Sequence, residues 1–512
     1  MGKVQGLDED EIGLEEALRI AGSDDHAGAV FVDRRGDGWR AGSFLAWDPC
    51  EIIEWRQRAQ EPEVGSCTGS GPSSGGRGPF ETLQEAVSFH PELFWAGFLA
   101  YDAGRFVERT PCVCVADTAI PYLCFVGYRR VTKLGLLGRN AQESHLIVDV
   151  AGGKFRRPPE SLLESDGVAQ SLDRKAYCEA VQKALEAIRA GDFYQVNIAH
   201  RISLPTGSAA RLGSPVATPR NPHPPGESQN PGDATEEAIL AFKILLHRLR
   251  PPRAAYLRCS SHHVVSASPE LFLEVDRSFL RTRPMKGTRP RAQDPASDRA
   301  LAEDLVASPK DRAENVMIVD LLRNDLGKIA EPATVAVPKL FVVETYPTVH
   351  QMVSEVTAIA RADVGIGDVL RALFPGGSVT GAPKPAAMAF IESVEQVRRG
   401  VYTGAVGYID PAGYLSGLPS HRRPTPIVAA YGDGAAARAS ATASPALPTA
   451  EFSVAIRTLV RTPDRWDVWV GAGIVADSLP EKEWDETLVK AEGLLAAAVS
   501  ATECSHRKVP IG

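Results

Sequence analysis

Lys286 stands in a densely basic run, where a lysine could do chemistry. It lies within Arg281-Thr282-Arg283-Pro284-Met285-Lys286-Gly287-Thr288-Arg289-Pro290-Arg291. A run of cations is ordinarily a solvated loop. Cations crowded around a lysine also lower its pKa, and the free amine is then a nucleophile. Glu270, after Ser268-Pro269, stands sixteen residues earlier. A strand leaving Glu270 and returning at Lys286 would bring an acid or base beside the amine.

A second group of residues is acidic. Helical spacing puts Glu314 on the same face as Met317, Ile318, Leu321 and Leu322. A carboxylate on an apolar stripe is costly unless it is paired or binds a cation. A buried Arg or Lys partner is the ordinary answer, and a metal is the other. Near the C-terminus Glu483, Glu486 and Lys490 share one helix face, beside the apolar Trp484, Leu488, Ala491 and Leu495. Alone they read as a solvated face; together with Glu314 they make a ligand set for a hard cation. Mg²⁺ takes one or two protein carboxylates, with water and an anionic ligand completing its shell. Two glycine-rich stretches, Phe374–Lys384 and Gly471-Ala472-Gly473 after a strand at Trp466–Val470, offer backbone N–H groups to an anion. Neither has a nucleotide-binding spacing.

The elements that must position these residues are readable from caps and periodicity. Asp173 caps a helix with apolar positions Tyr177, Val181, Leu185 and Ile188, and Gly191 stops it. A strand follows over Phe193–Leu204, with Tyr194, Val196, Ile198 and Ile202 on one face and Gln195 and Asn197 on the other. Strands are expected at His263–Ser266 and Leu271–Val275. A helix capped by Ser308, with Pro309 at its first position, runs to Leu326 and stops at Gly327. Another is expected over Lys384–Val397. The last begins at Ser478, with Ser478 and Glu481 as a capping box, and continues through Ala498. This alternation is that of a mixed α/β (α+β) protein with large sheets.

Composition sets the outer bounds. The chain has 512 residues, 44% hydrophobic and 23% charged, as in ordinary globular proteins. A net charge of −8 gives no general attraction to nucleic acid or to an anionic membrane. The acidic N-terminus has no apolar core, and no apolar run approaches the ~18 residues of a membrane span. The eight cysteines form no CxxC pair and no zinc-like spacing with histidine, which fits free thiols in a reducing cytoplasm. Gly65–Pro79, Pro205–Thr235 and Asp410–Pro448 are rich in Gly, Pro, Ser, Ala or Asn and read as stretches outside the core; the last two interrupt the patterned half as surface insertions.

Together the motifs resemble the chorismate-utilising enzymes, which include component I of anthranilate synthase and the isochorismate and salicylate synthases. The matching segments are Gly191–Asn197, Ser268-Pro269-Glu270, Pro284–Thr288, Glu314–Asp325, Phe374–Lys384, Gly404–Tyr408, Ala455-Ile456-Arg457 and Gly471–Glu486. They occur in family order. Residues 43–49 and 97–102 match more loosely. The resemblance implies two packed β-sheets surrounded by helices, with the site in the cleft between them. Residues 1–165 would form an N-terminal region and 166–505 the catalytic region of one unit, with insertions at 205–235 and 411–450.

The resemblance also assigns roles. Glu314, Glu483 and Glu486 would hold Mg²⁺. Gln195, Gly287, Thr288, His350, Tyr408, Arg457, Gly471, Gly473 and Lys490 would bind chorismate. Glu270 would be the general acid. Two positions separate the branches. Family members that add water carry lysine where Gln195 stands. Anthranilate synthases usually have alanine where Lys286 stands, whereas a lysine there marks the branch that aminates chorismate at C4. That branch is the expectation; anthranilate formation, or binding without catalysis, are the alternatives. The resemblance implies a separate glutamine amidotransferase subunit that supplies ammonia. One departure is Ala386, where the family usually has arginine.

Overall fold

Local rules set the helices that carry the site. Asp173 accepts a hydrogen bond from the Ala176 N–H at 2.8 Å and opens a helix over Arg174–Ala190, which ends at Gly191. Ser308 accepts from the Asp311 N–H at 3.3 Å and opens the helix Pro309–Gly327. Both agree with the sequence. The last helix runs Pro480–His506, two residues later than expected. Ser478 instead takes the Val475 N–H and bonds the Glu483 carboxylate.

The computed structural model describes residues 8–23, 28–33, 43–56, 78–108, 110–111, 113–116, 119–134, 163, 165, 167–206, 231–415 and 447–506. Residues 57–77, 207–230 and 416–446, most of the three Gly/Pro/Ser-rich stretches, lie outside these. The described helices are α1 (Leu14–Gly22), α2 (Pro79–Phe89), α3 (Arg174–Ala190), α4 (Pro231–Leu249), α5 (Pro295–Ala307), α6 (Pro309–Gly327), α7 (Ile366–Leu373), α8 (Lys384–Val394) and α9 (Pro480–His506). The strands of the N-terminal third are β1 (Asp8–Ile12), β2 (Ala29–Asp33), β3 (Phe44–Trp55), β4 (Phe94–Leu99), β5 (Leu123–Leu134) and β6 (Ala169–Gln170). Next come β7 (Gln195–Pro205), β8 (Arg253–Arg258), β9 (His263–Ser266), β10 (Leu271–Asp276), β11 (Phe279–Arg283) and β12 (Met285–Pro290). The last are β13 (Ala336–Thr345), β14 (Val349–Ile359), β15 (Gly381–Ala382), β16 (Ala405–Asp410), β17 (Thr449–Val454), β18 (Thr458–Arg461) and β19 (Arg465–Ile474). Among the described residues no helix is long and apolar enough to cross a membrane.

The two packed sheets are halves of one hydrogen-bonded sheet that folds back on itself. One half runs β7-β19-β18-β9-β8-β2-β3. The other runs β5-β4-β16-β17-β10-β11-β14, with β12 continuing β11 along β14 and β13 beyond. The long antiparallel pair β3–β5 joins them, with a bulge between Pro49 and Glu51. Side chains of the two halves meet in a core that includes Phe44, Ala255 and Val264 from one and Phe94, Phe98 and Val406 from the other. The two largest further cores lie outside. One packs α6 and α7 on β10, β14 and β17; the other packs α1, α4 and α9 on β7, β8 and β18. Residues 195–204 of β7 are all buried, so both of its faces are covered. Tyr194, expected on its apolar face, precedes the strand and is exposed.

Candidate active site

The turn into β10 and the start of β12 bring Glu270 and Lys286 together. The Glu270 N–H donates to Ser268 Oγ at 3.2 Å, which closes the Ser-Pro-Glu turn. The Glu270 carboxylate is buried and accepts a 2.7 Å hydrogen bond from Ser378 Oγ. Burial pushes its pKa up to about 7, against the opposing pull of Ser378, Lys286 and the Met285 N–H. Near neutral pH such a carboxyl retains a proton that it can give away.

The Lys286 amine donates to the Ser378 carbonyl at 3.5 Å. Ser378 therefore touches both groups, the acid through its hydroxyl and the amine through its backbone. Burial holds Lys286 below the ordinary lysine range, with Lys490 adding to the effect and Glu314, Glu270 and Glu486 opposing it. The arginines around it are not the cause, contrary to the sequence expectation. Arg281 pairs with Glu274, Arg283 with Glu344, Arg289 with Asp304 and Asp311, and Arg291 with Asp298. Each carries its own counter-charge.

A glycine without a side chain faces the amine. Gly473 pairs with Asn197 in the β19–β7 ladder. A Cβ at Gly473 would stand 3.4 Å from both Lys286 Nζ and Gln195 Nε2. Gln195 is fully buried, and neither of its side-chain amide atoms has a hydrogen-bond partner among the described residues. Asn197 Oδ1 is in the same condition. Buried polar atoms left unmatched around a space fit a polar ligand. The sequence put Gly471–Gly473 in a loop after a strand, but β19 runs through them to Ile474.

The Phe374–Lys384 segment is held against β7. The Asn197 N–H donates to the Thr380 carbonyl at 2.8 Å, and Gly381 pairs with Val196. Gly381 has φ +150°, and a Cβ there would lie 2.1 Å from the Gln195 carbonyl, so no other residue fits. The segment reaches the site through the Ser378 hydroxyl and carbonyl. On the other side of Lys286, Gly287 has φ +82°, and a Cβ would come within 2.8 Å of Asp311 on α6.

The acidic groups come from two helices. Glu314, on α6, lies near Lys286 and feels the charge of Glu486 on α9. Glu483 is buried and Glu486 exposed, with Lys490 Nζ 2.6 Å from Glu486 Oε1 and 2.9 Å from the Gly471 carbonyl. Burial raises the pKa of both Glu314 and Glu483, and repulsion from Glu486 adds to it. Partly desolvated carboxylates that repel one another suit a divalent cation. Among the described residues, however, no three acidic, histidine or cysteine side chains are gathered at one metal-sized point. Arg457, with φ 52°, lies near Glu486 and Tyr402, and burial lowers its pKa.

A family model described as chorismate binding enzyme matches residues 29–215, 229–416 and 446–496 of this sequence. The chain belongs to the chorismate-binding enzymes. It is 33% identical over 471 residues to a Salmonella typhimurium protein named aminodeoxychorismate synthase component 1, covering 88% of each chain. It is also 33% identical to a Thermus thermophilus anthranilate synthase component 1, covering 83% of this chain and 82% of the other. Among solved structures, anthranilate synthase component I from Streptococcus pneumoniae superposes with a TM-score of 0.59 at 24% identity, covering 88% of this chain and 91% of the other.

In this chorismate-binding enzyme Lys286, Glu270, Gln195 and Gly473 come together, with Glu314 and Lys490 facing them. Three further expected substrate contacts have these surroundings. His350 is buried, with Nε2 3.0 Å from Asp298 and Nδ1 2.9 Å from Thr345, so both ring nitrogens are engaged by protein. Thr288 is exposed, opposite Gln351 in the ladder. Tyr408 packs against Phe31, Phe44 and Phe94 in the core between the sheet halves. The tyrosine beside Arg457 is Tyr402, stacked on Trp469 at 5.7 Å. Sequence reasoning missed Tyr402 and Ser378. Ser378 lay within a recognised loop, but which group it would meet depends on a chain segment more than one hundred residues away.

Proposed function

We propose that the chain is the chorismate-aminating component 1 of an aminodeoxychorismate synthase. The observation that carries this reading is a half-buried lysine amine, lowered in pKa, that shares Ser378 with a carboxyl of pKa about 7. Lys286 Nζ attacks C2 of chorismate. The two ring double bonds each shift one position, the C4–O bond breaks, and Glu270 gives its proton to the departing hydroxyl, which leaves as water. Ammonia then forms a bond to C4, the double bonds shift back, and the C2–Nζ bond breaks to return the amine. Gln195 and Gly473 border the space in which this exchange occurs. Arg457 and Lys490 offer positive charge to substrate carboxylates. Glu314, Glu483 and Glu486 would hold Mg²⁺, which would neutralise a chorismate carboxylate. The product is 4-amino-4-deoxychorismate, and a glutamine amidotransferase partner supplies the ammonia.

The test is product identification after incubation with chorismate, Mg²⁺ and an ammonium salt. Conversion to 4-amino-4-deoxychorismate is expected. Fluorescent anthranilate would assign the chain to the other named branch, and absence of turnover would leave a binding protein.

A further inference from the structure

Where β15 ends, the edge of β7 opposite β19 is continued by side chains. Arg399 Nη2 donates to the Asn197 carbonyl at 2.8 Å, and the Ala199 N–H donates to Glu395 Oε1 at 2.9 Å. Arg399 and Glu395 are themselves joined, with Nε to Oε2 at 2.9 Å and Nη2 to Oε1 at 2.6 Å. The pair occupies the positions that another strand would fill. Arg399 does one thing more: its Nη1 donates to the Val379 carbonyl at 3.0 Å and to Thr403 Oγ1 at 3.1 Å. One guanidinium thus binds the strand that carries Gln195 and Asn197 and the segment that carries Ser378. Its Cζ lies 4.6 Å from the Tyr101 ring centroid, and both Arg399 and Glu395 are buried. A planar five-donor fork can satisfy two carbonyls, a hydroxyl and a carboxylate at once; an ammonium cannot.

We infer that Arg399, braced by Glu395, is a positioning residue that fixes Ser378 against Glu270 and Lys286 without itself touching substrate. This rests on the reading of Glu270 as general acid. The groups facing Glu270 are the Ser378 hydroxyl, the Lys286 amine and the Met285 N–H. The hydroxyl bond favours the ionised carboxylate, so losing it raises the Glu270 pKa. Turnover that needs protonated Glu270 then persists to higher pH, at a lower maximum because the acid and the amine are less well aligned.

The experiment is a double-mutant cycle on full-length protein with chorismate, Mg²⁺ and ammonium ion, comparing Arg399→Lys, Ser378→Ala and the double variant. Ser378→Ala calibrates the loss of the hydroxyl. Arg399→Lys is expected to lower kcat about tenfold or more with little change in KM, and to move the alkaline limb upward in the same direction as Ser378→Ala. The double variant should be no worse than the more impaired single variant. Glu395→Gln keeps an acceptor for the Ala199 N–H and serves as a second probe should Arg399→Lys fold poorly; it is expected to move the limb the same way. An unmoved limb in the folded Arg399 or Glu395 variant, or strictly additive losses, would overturn the inference. Absence of any chorismate turnover by the unsubstituted protein would instead strike the functional reading.

Discussion

The lysine side of the proposed site and its acidic side are built differently. Lys286, Glu270, Gln195 and Gly473 are carried by strands or by a turn directly ahead of one, and are locked by ladder hydrogen bonds and by the docked Phe374–Lys384 segment. Glu314, Glu483 and Glu486 project from two helices, differ in exposure and repel one another. The first region is assembled before substrate arrives. The second holds charges that a cation and an anionic substrate would bring to rest. On the proposed reading, the bond-making group is held by more hydrogen bonds than the charges that would capture the ligand.

Substitutions on the lysine side should have the largest effects. Lys286→Ala is expected to cut formation of 4-amino-4-deoxychorismate by about a thousandfold or more while circular dichroism stays unchanged. Turnover at an undiminished rate would remove the amine from the mechanism. Glu270→Gln should cost about a hundredfold or more and yet stabilise the fold in alkali. The Glu270 pKa is raised from 4.5 to about 7, so the folded state binds this proton more tightly than the unfolded chain. Stability is therefore lost as pH rises from about 4.5 through about 7. Ionising the buried carboxyl at pH 8 costs at most ~3 kcal/mol, which the glutamine variant avoids. Thermal melts of both proteins at pH 5 and pH 8 check this: the variant should gain at pH 8 relative to pH 5. Equal differences at the two pH values would contradict the raised pKa.

On the acidic side, Glu314→Gln should weaken Mg²⁺ binding in the presence of chorismate roughly tenfold or more. Titration calorimetry measures it, and unchanged affinity would dismiss Glu314 as a ligand. The smallest effect is expected at Gly473→Ala. Its methyl would meet Lys286 Nζ and Gln195 Nε2 at 3.4 Å, which the fold tolerates. One methyl in the substrate space should lower kcat/KM by about tenfold, read from steady-state kinetics with a melting temperature as control.

Much of this was legible in the sequence where the signal is local. Asp173 and Gly191, and Ser308 and Pro309, bound their helices as capping chemistry requires. Glu270 and Lys286 met because one antiparallel excursion, β10 to β11, returns the chain to its start. Long-range packing was not legible. The run of arginines around Lys286 gave a plausible cause for its lowered pKa, but their carboxylate partners come from β10, β13, α5 and α6, and burial is the actual cause. Tyr402 stands just ahead of the matched segment Gly404–Tyr408, and only the fold shows that it, and not Tyr408, is beside Arg457. Gly471–Gly473 read as a turn because glycine usually breaks strands, yet here β7 pairs with it and its bare backbone leaves the space beside the amine. Ser478 matched a capping pattern, but a nearby carboxylate competed for its hydroxyl.

Intact-protein mass spectrometry with chorismate and Mg²⁺, in the absence of ammonia, addresses the nucleophile most directly. The account predicts a mass increase equal to chorismate less one water, mapped by peptide digestion to Lys286 and lost on addition of an ammonium salt. Amination proceeding at full rate with no such adduct, and unimpaired in Lys286→Ala, would contradict it.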